Sequence, residues 1–599
     1  MKKISRLIAL CLAFGLMTGC TVGAPDVDSS DPTPDGGAVV QEPQHEAPSE
    51  PKIIKTIAHG EDNSINHHEA NTLGNTEIID YIHTGLYQWA PAETRDKALL
   101  IPSLAEGEPT TQDGLVWIIK VNKDAKWSNG EPIDANTFIY SWSMCLDPKL
   151  AYQSGSFLAT QYITVENGVA YYEQLSEGKE AVDWADVGFK ALDDYTLEIT
   201  TTQKYTVSEV MRHFSIRYSW PVYEPLYEAG MNSDRSGTNY GTALEYYMGC
   251  GPFNLTTWVK ASERVYERNP NYINAHLVHL DGVQTRVVSD EATCLEMFDS
   301  GELDYTRIGA NGLEKYGEAP QLEIYAQTPV RTIEFNYNHP EYEFLSDPLF
   351  RKAVYFGVDR QTVAKLTNST PAQYFLSTTG VSFADGTRYR QMEAANSWLP
   401  ENYGYNPELA KQYFDEVLAK YGLDKITLSL LYYSDIENLR IASEYLQGQL
   451  PQVFGADRFE LTLQSMQTSA AWELMRTSTA GPTDAWDLGW TGWNLSAEQF
   501  EPYKKFAPYR STASNRYSNY TNTFVDENYP SLLSEEYRLD EQKLFELTVE
   551  VEKSIILDDT TCVPVFQDRA YALLSDRVWL STDGYVPQLG FGLRFSDVV

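Results

Sequence analysis

Hydrophobic positions along this chain switch repeatedly between a period of two and a period near 3.6. Leu115, Trp117 and Ile119 alternate with Val116, Ile118 and Lys120, which predicts a strand. Asn129-Gly130 then tolerates positive φ and Pro132 fixes the exit direction, so Lys126-Trp127 is expected at a loop edge. Asp134 is a good N-cap, and Phe138, Ile139 and Trp142 fall at helical spacing, an apolar face that ends before Asp147-Pro148. Val187 to Ile199 reads as a hairpin turning at Asp193-Asp194.

The same alternation continues on either side. A strand is predicted from Ile53 to Ala58 and a helix from Thr76 to Tyr87. Asp290 caps a helix ending near Asp299, with Ala292, Leu295 and Phe298 as its apolar face. Asp347-Pro348 opens another helix, and Asp359-Arg360 opens the next. Asn406-Pro407 starts a helix through Leu409, Ala410, Tyr413, Phe414 and Val417 that Gly422 stops. Strands at Ile426 to Tyr433 and Phe459 to Leu463 flank a helix between Ile436 and Leu450, so a mixed sheet with crossover helices is expected.

The first 52 residues follow neither period. Lys2, Lys3 and Arg6 precede an apolar run from Leu7 to Leu16 and then Met17-Thr18-Gly19-Cys20, a signal peptide ending like a bacterial lipobox, with lipidation expected at Cys20. Thr21 to Lys52 is rich in Pro, Gly, Ser, Asp and Glu and reads as a disordered tether with a reach of about 30 Å.

Composition narrows the function classes. At 599 residues, 42% hydrophobic and 13% aromatic, the chain is globular and too long for one core. The excess of 84 acidic over 46 basic residues, a formal charge of −38, argues against nucleic acid and for a solvated acidic surface. Cys145, Cys250, Cys294 and Cys562 lack C-x-x-C spacing, so neither a zinc site nor a disulfide framework can be read from them, though one bridge stays open. His67-His68 would point apart on a strand, and no metal site or cofactor is expected.

The passage from Asp113 to Pro148, with its S-N-G-x-P turn and Tyr140-Ser141-Trp142, resembles the signature of the family 5 extracellular solute-binding proteins. Gly188-Phe189-Lys190-Ala191-Leu192-Asp193-Asp194, Gly251-Pro252-Phe253 and Asp347 to Arg360 resemble further motifs of that family, and the resemblance runs from about Ile53 to Val599. It implies an α/β, two-lobed type II periplasmic-binding-protein-like fold with an additional inserted lobe and a hinge. The boundaries implied are residues 1–20 signal peptide, 21–52 tether, 53–91 with 251–328 and 573–599 lobe I, 92–250 inserted lobe II, and 329–572 lobe III.

The resemblance also implies ligand contacts. Trp486 to Ser496 corresponds to a cleft motif in which Gly492 admits a ligand backbone, Trp493 forms an apolar wall and Asn494 follows. Ser496 stands where the family has an aspartate for a peptide's α-ammonium, so weak recognition of free N-termini is expected. Asn71 and Leu73 lie on a cleft-bordering loop and Tyr585 lies where the chain re-enters lobe I; Arg476, without an obvious helical ion partner, is a candidate for a ligand carboxylate.

The function implied is capture of oligopeptides by a lipid-anchored, monomeric protein at the outer face of the bacterial cytoplasmic membrane, for delivery to an ABC permease. Alternatives are the same fold binding a sugar or metal chelate, or a peptide-signal receptor. A glycoside hydrolase would need two carboxylates flanking a bond, and no constellation in the sequence identifies such a pair.

Overall fold

The computed structural model describes residues 50–58, 63–69, 73–378, 382–383, 385–477, 481–492, 505–513 and 520–599. The signal and tether segments lie outside them, apart from residues 50–52. Contacts hold Pro51–Val599 together as one unit.

The first sheet begins with Ile53–Ala58, parallel to Gly282–Val287, which pairs antiparallel with Glu263–Arg268 and through it with Phe253–Val259. The helix Leu73–Ile82 covers it, because Ile78, Ile79 and Ile82 share one face and join Ile54, Phe253 and Val283 in a core. This helix stops five residues short of the predicted Tyr87. The reason is tertiary. A Cβ on Gly85 would lie 2.5 Å from the Trp220 ring, so the chain bends there, and Tyr87–Pro91 instead pairs as a strand with Ala98–Pro102.

A second sheet contains the predicted strand, Val116–Lys120, and the predicted hairpin, Phe189–Asp193 with Thr196–Thr200. The helix Ala135–Leu146 packs on it. Its start is secured by a capping box in which the Asp134 carboxylate accepts from the Thr137 N–H at 2.8 Å. Trp117, Trp127 and Trp142 are all buried in this core; Trp127, expected at a loop edge, is covered by Tyr223 with ring centroids 5.4 Å apart.

The largest sheet orders its strands as Tyr305–Ile308, Val563–Leu574, Leu322–Phe335, Leu488–Gly492, Ile426–Tyr433 and Phe459–Met466, with Thr370–Pro371 beside Val563–Leu574. Helices Pro348–Gly357, Pro407–Tyr421 and Glu437–Phe454 supply the predicted crossovers, the middle one ending at Gly422 with φ 65°. Two long strands, Leu322–Phe335 and Val563–Leu574, run the length of this sheet side by side. Their register is interrupted between Ala326 and Val330, so residues 327–329 form a bulge in the ladder.

The arginines of the Asp347–Arg360 motif are internal struts. Arg351 is fully buried and donates to the Thr560 carbonyl at 3.0 Å and to the Asp559 carbonyl at 2.8 Å. Arg360, equally buried, donates to the carbonyls of Pro564, Tyr355 and Tyr403 at 2.7, 2.9 and 3.0 Å. Burial pushes its guanidinium down to about 10.

Candidate functional site

The bulged strand Leu322–Phe335 passes along the wall of a cavity of about 1090 Å³. Its lining comes from the face of Leu73–Ile82 opposite the isoleucines, where Glu77, Asp80 and Tyr81 recur at spacings of three and four. Ala326 to Pro329 of the bulge contribute, as do Ser215 to Tyr218 and the C-terminal segment Tyr585 to Arg594. Tyr325 stacks on Tyr585 with centroids 4.2 Å apart at 16°, and Phe591 meets both rings edge-on, giving one end of the cavity a rigid aromatic lining.

Charge on the wall is mixed. Arg264 is 1% exposed and stands 3.7 Å from the Glu77 carboxylate. Asp80 opens to solvent within the cavity, yet the protein around it desolvates its carboxyl and pushes it up, while Arg594 and Arg217 pull it the other way. Arg594 also donates to the Asp80 carbonyl at 2.9 Å.

One residue of this wall, His83, belongs to a knot of imidazoles. His67, His68 and His83 are buried, with ring centroids of 4.9 Å between the first two and 4.6 Å between His67 and His83; Cys250 Sγ lies 3.2 Å from His83 Nδ1. The first two sit in a turn, so the strand geometry that would separate them does not apply. Among the described residues no group of three or more His, Cys, Asp or Glu is placed to hold a metal. Cys145, Cys250, Cys294 and Cys562 are all free and buried, which closes the question of a bridge among them.

Of the residues singled out from sequence, Tyr585 lines the cavity. Gly492 ends its strand opposite Arg331, where an added Cβ would meet that guanidinium at 3.0 Å, and it is not among the residues lining this cavity. Arg476 does have a helical ion partner: its guanidinium lies 2.7 Å from Glu473 on the same half-exposed helix face, away from the cavity lining. Leu73 begins its helix. Asn71, Trp493, Asn494, Ser496 and Cys20 lie outside the described residues. Sequence reasoning missed Glu77, Asp80, Arg217, Arg307 and Arg594. Only the first two had a local signal, polar positions at helical spacing opposite an isoleucine stripe.

The family described as bacterial extracellular solute-binding proteins, family 5 Middle, matches residues 100–506. The dipeptide-binding protein DppE of Bacillus subtilis is 30% identical over 361 residues, 59% of this chain and 61% of its own length. The periplasmic oligopeptide-binding protein OppA of Haemophilus influenzae is 24% identical over 477 residues, 78% and 80% of the two chains. The chain thus spans about three fifths of the length of the first of these relatives. In three dimensions it is similar to the periplasmic murein tripeptide-binding protein MppA in its unliganded open form, with TM-score 0.70 and 19% identity over 92% of this chain and 98% of that one. It is also similar to Listeria monocytogenes OppA bound to peptide, with TM-score 0.58 and 22% identity over 92% and 100%. These likenesses give the fold as that of the type II periplasmic-binding proteins.

Proposed function

Because the chain belongs to the bacterial extracellular solute-binding proteins of family 5, we propose that it captures oligopeptides in the cavity beside the bulged strands and delivers them to an ABC permease. The observation that carries this reading is the cavity. At about 1090 Å³ it lies at the upper limit of the roughly 300–1,000 Å³ typical of small-molecule pockets, and aromatic faces and charged groups converge on it. An extended peptide can pair with main chain along such a wall while its side chains occupy wet, permissive space.

Capture proceeds by closure of the lobes, residues 53–91 with 251–328 and 573–599 against 329–572, about the bulge at residues 327–329. Residues 92–250 form the inserted lobe, and diacylglycerol on Cys20 holds the monomer to the membrane through residues 21–52. With serine at position 496, acetylating a peptide's N-terminus weakens binding by less than about tenfold.

Native mass spectrometry of freshly purified protein, followed by calorimetry with the peptides it releases, tests the reading. Retained peptides that rebind, with a radius of gyration that falls in small-angle scattering, are the expected result. A retained sugar or metal chelate, with no binding by any peptide, overturns it.

A further inference from the structure

The cavity is charged oppositely to the chain around it. Acids outnumber bases by 84 to 46 overall, yet the described lining carries Arg217, Arg264, Arg307 and Arg594 against Glu77 and Asp80. Arg264 is engaged by Glu77. Among the described residues the other three arginines form no ion pair. Arg217 donates to the Tyr218 hydroxyl at 2.9 Å and lies over that ring; Arg594 binds the Asp80 carbonyl and lies over Phe595; Arg307 Nε reaches the Tyr305 hydroxyl at 3.4 Å. Each is steadied at hydrogen-bond distance by a neutral group, and the acids of the wall, Asp80 for Arg217 and Arg594 and Glu77 for Arg307, act on them only from a distance.

A smaller cavity of about 360 Å³ shares Arg307, Tyr325 and Gln327 with the large one. It adds Arg569, whose Nε donates to Thr370 at 2.8 Å, and its described lining contains no Asp or Glu. The two spaces therefore share an arginine in their walls. Guanidinium groups take carboxylates through two parallel N–H donors, and every cation in the described lining of the two spaces is arginine rather than lysine.

We propose that this protein selects acidic peptides, those whose carboxylates outnumber their ammonium groups, with one carboxylate in the pocket bounded by Arg307 and Arg569 and others at Arg217 and Arg594. This rests on the reading of the cavity as a peptide site and adds its charge preference. An overall charge of −38 repels such a ligand at long range, so the preference resides in short contacts inside the cleft, where screening by salt is weaker.

Calorimetry with synthetic peptides of one length, carrying Glu, Gln or Lys at the same two internal positions, tests the proposal. The Glu peptide is expected to bind at least about tenfold tighter than the Gln peptide, and the Lys peptide weakest. In the Arg307→Gln, Arg569→Gln double variant the Glu-to-Gln ratio should shrink to within about threefold. Both side chains are exposed, and a wild-type-like melting temperature shows that the variant is folded. Raising salt on the wild-type protein reads the same preference without mutation: the ratio should largely persist, because contacts inside the cleft are screened less than surface charges, and its collapse would place the preference in long-range attraction instead. Equal affinity for the Glu and Gln peptides overturns the acidic preference and leaves peptide capture standing. Failure of all three to bind, while the protein's own released ligand proves not to be a peptide, overturns both.

Discussion

Arg331 Nε lies 2.7 Å from a carboxylate oxygen of Asp568, tying the two long strands together just beyond their bulge. The side chains are 14% and 10% exposed, so each charge depends on the other for its stabilisation. Asp568→Ala should cost about 3 kcal/mol in denaturant unfolding, the lower end for stranding one charge of a buried pair. Arg331→Met with Asp568→Leu should cost less than the single change. A double variant weaker than Asp568→Ala would show that the pair's geometry, and not the stranded charge, sets the cost.

Acidification should loosen the protein before its surface carboxylates titrate. Burial pushes His67 down to about 4 and His213 to about 3, and holds His68 and His83 well below the ordinary range; neighbouring imidazoles add to the last two. The unfolded chain accepts these protons near pH 6.5 and the folded chain refuses them, so this contribution is present above 6.5 and declines as pH falls toward 4. Glu334 works in the opposite direction. Burial raises it to about 7, so its neutral form favours the folded state as pH falls through 7, and Glu552 is raised likewise. Four histidines outweigh these, and stability measured in urea should fall by about 2–3 kcal/mol between pH 7 and 5.5. A flat profile would mean that the imidazoles protonate in place.

Arg360→Lys should destabilise without changing what is bound. Lysine cannot reproduce the fork that meets three carbonyls, and hydrogen bonds to a charged donor are worth about 1.5–3 kcal/mol each. A loss of about 3 kcal/mol with peptide affinity unaltered is expected from unfolding and calorimetry on one preparation. A selective loss of affinity would place Arg360 at the ligand.

Cys20→Ala should move the mature protein from the membrane fraction to the soluble one, and mass spectrometry of the wild-type N-terminus should show an acylated cysteine. Equal membrane attachment of the variant would refute lipidation.

Local chemistry made most elements legible. Asp134 with Thr137, Asn406 with Gly422, and the Asp193 turn each carry their instruction within a few residues. The helix from Leu73 ends short of its expected Tyr87 because its stop is Trp220, far along the chain, pressing on Gly85. Trp127 does lie at a loop edge, but its burial there has the same kind of cause: the ring that covers it belongs to Tyr223. The cavity was the least legible part. Arg217, Arg307 and Arg594 come from separate segments, and nothing beside any of them in sequence shows that they face one space. Arg476 illustrates the converse, a plausible cation satisfied three residues away by Glu473.

The bulge at residues 327–329 has a mechanical consequence. Two strands that stay hydrogen-bonded on both sides of a short interruption behave as a leaf flexure: they bend readily out of the sheet plane and resist shear and twist within it. Such a joint has a built-in axis and no free play. If the proposed lobes close about this joint, their motion follows one arc, and a docking surface spanning both would register occupancy as a single angle.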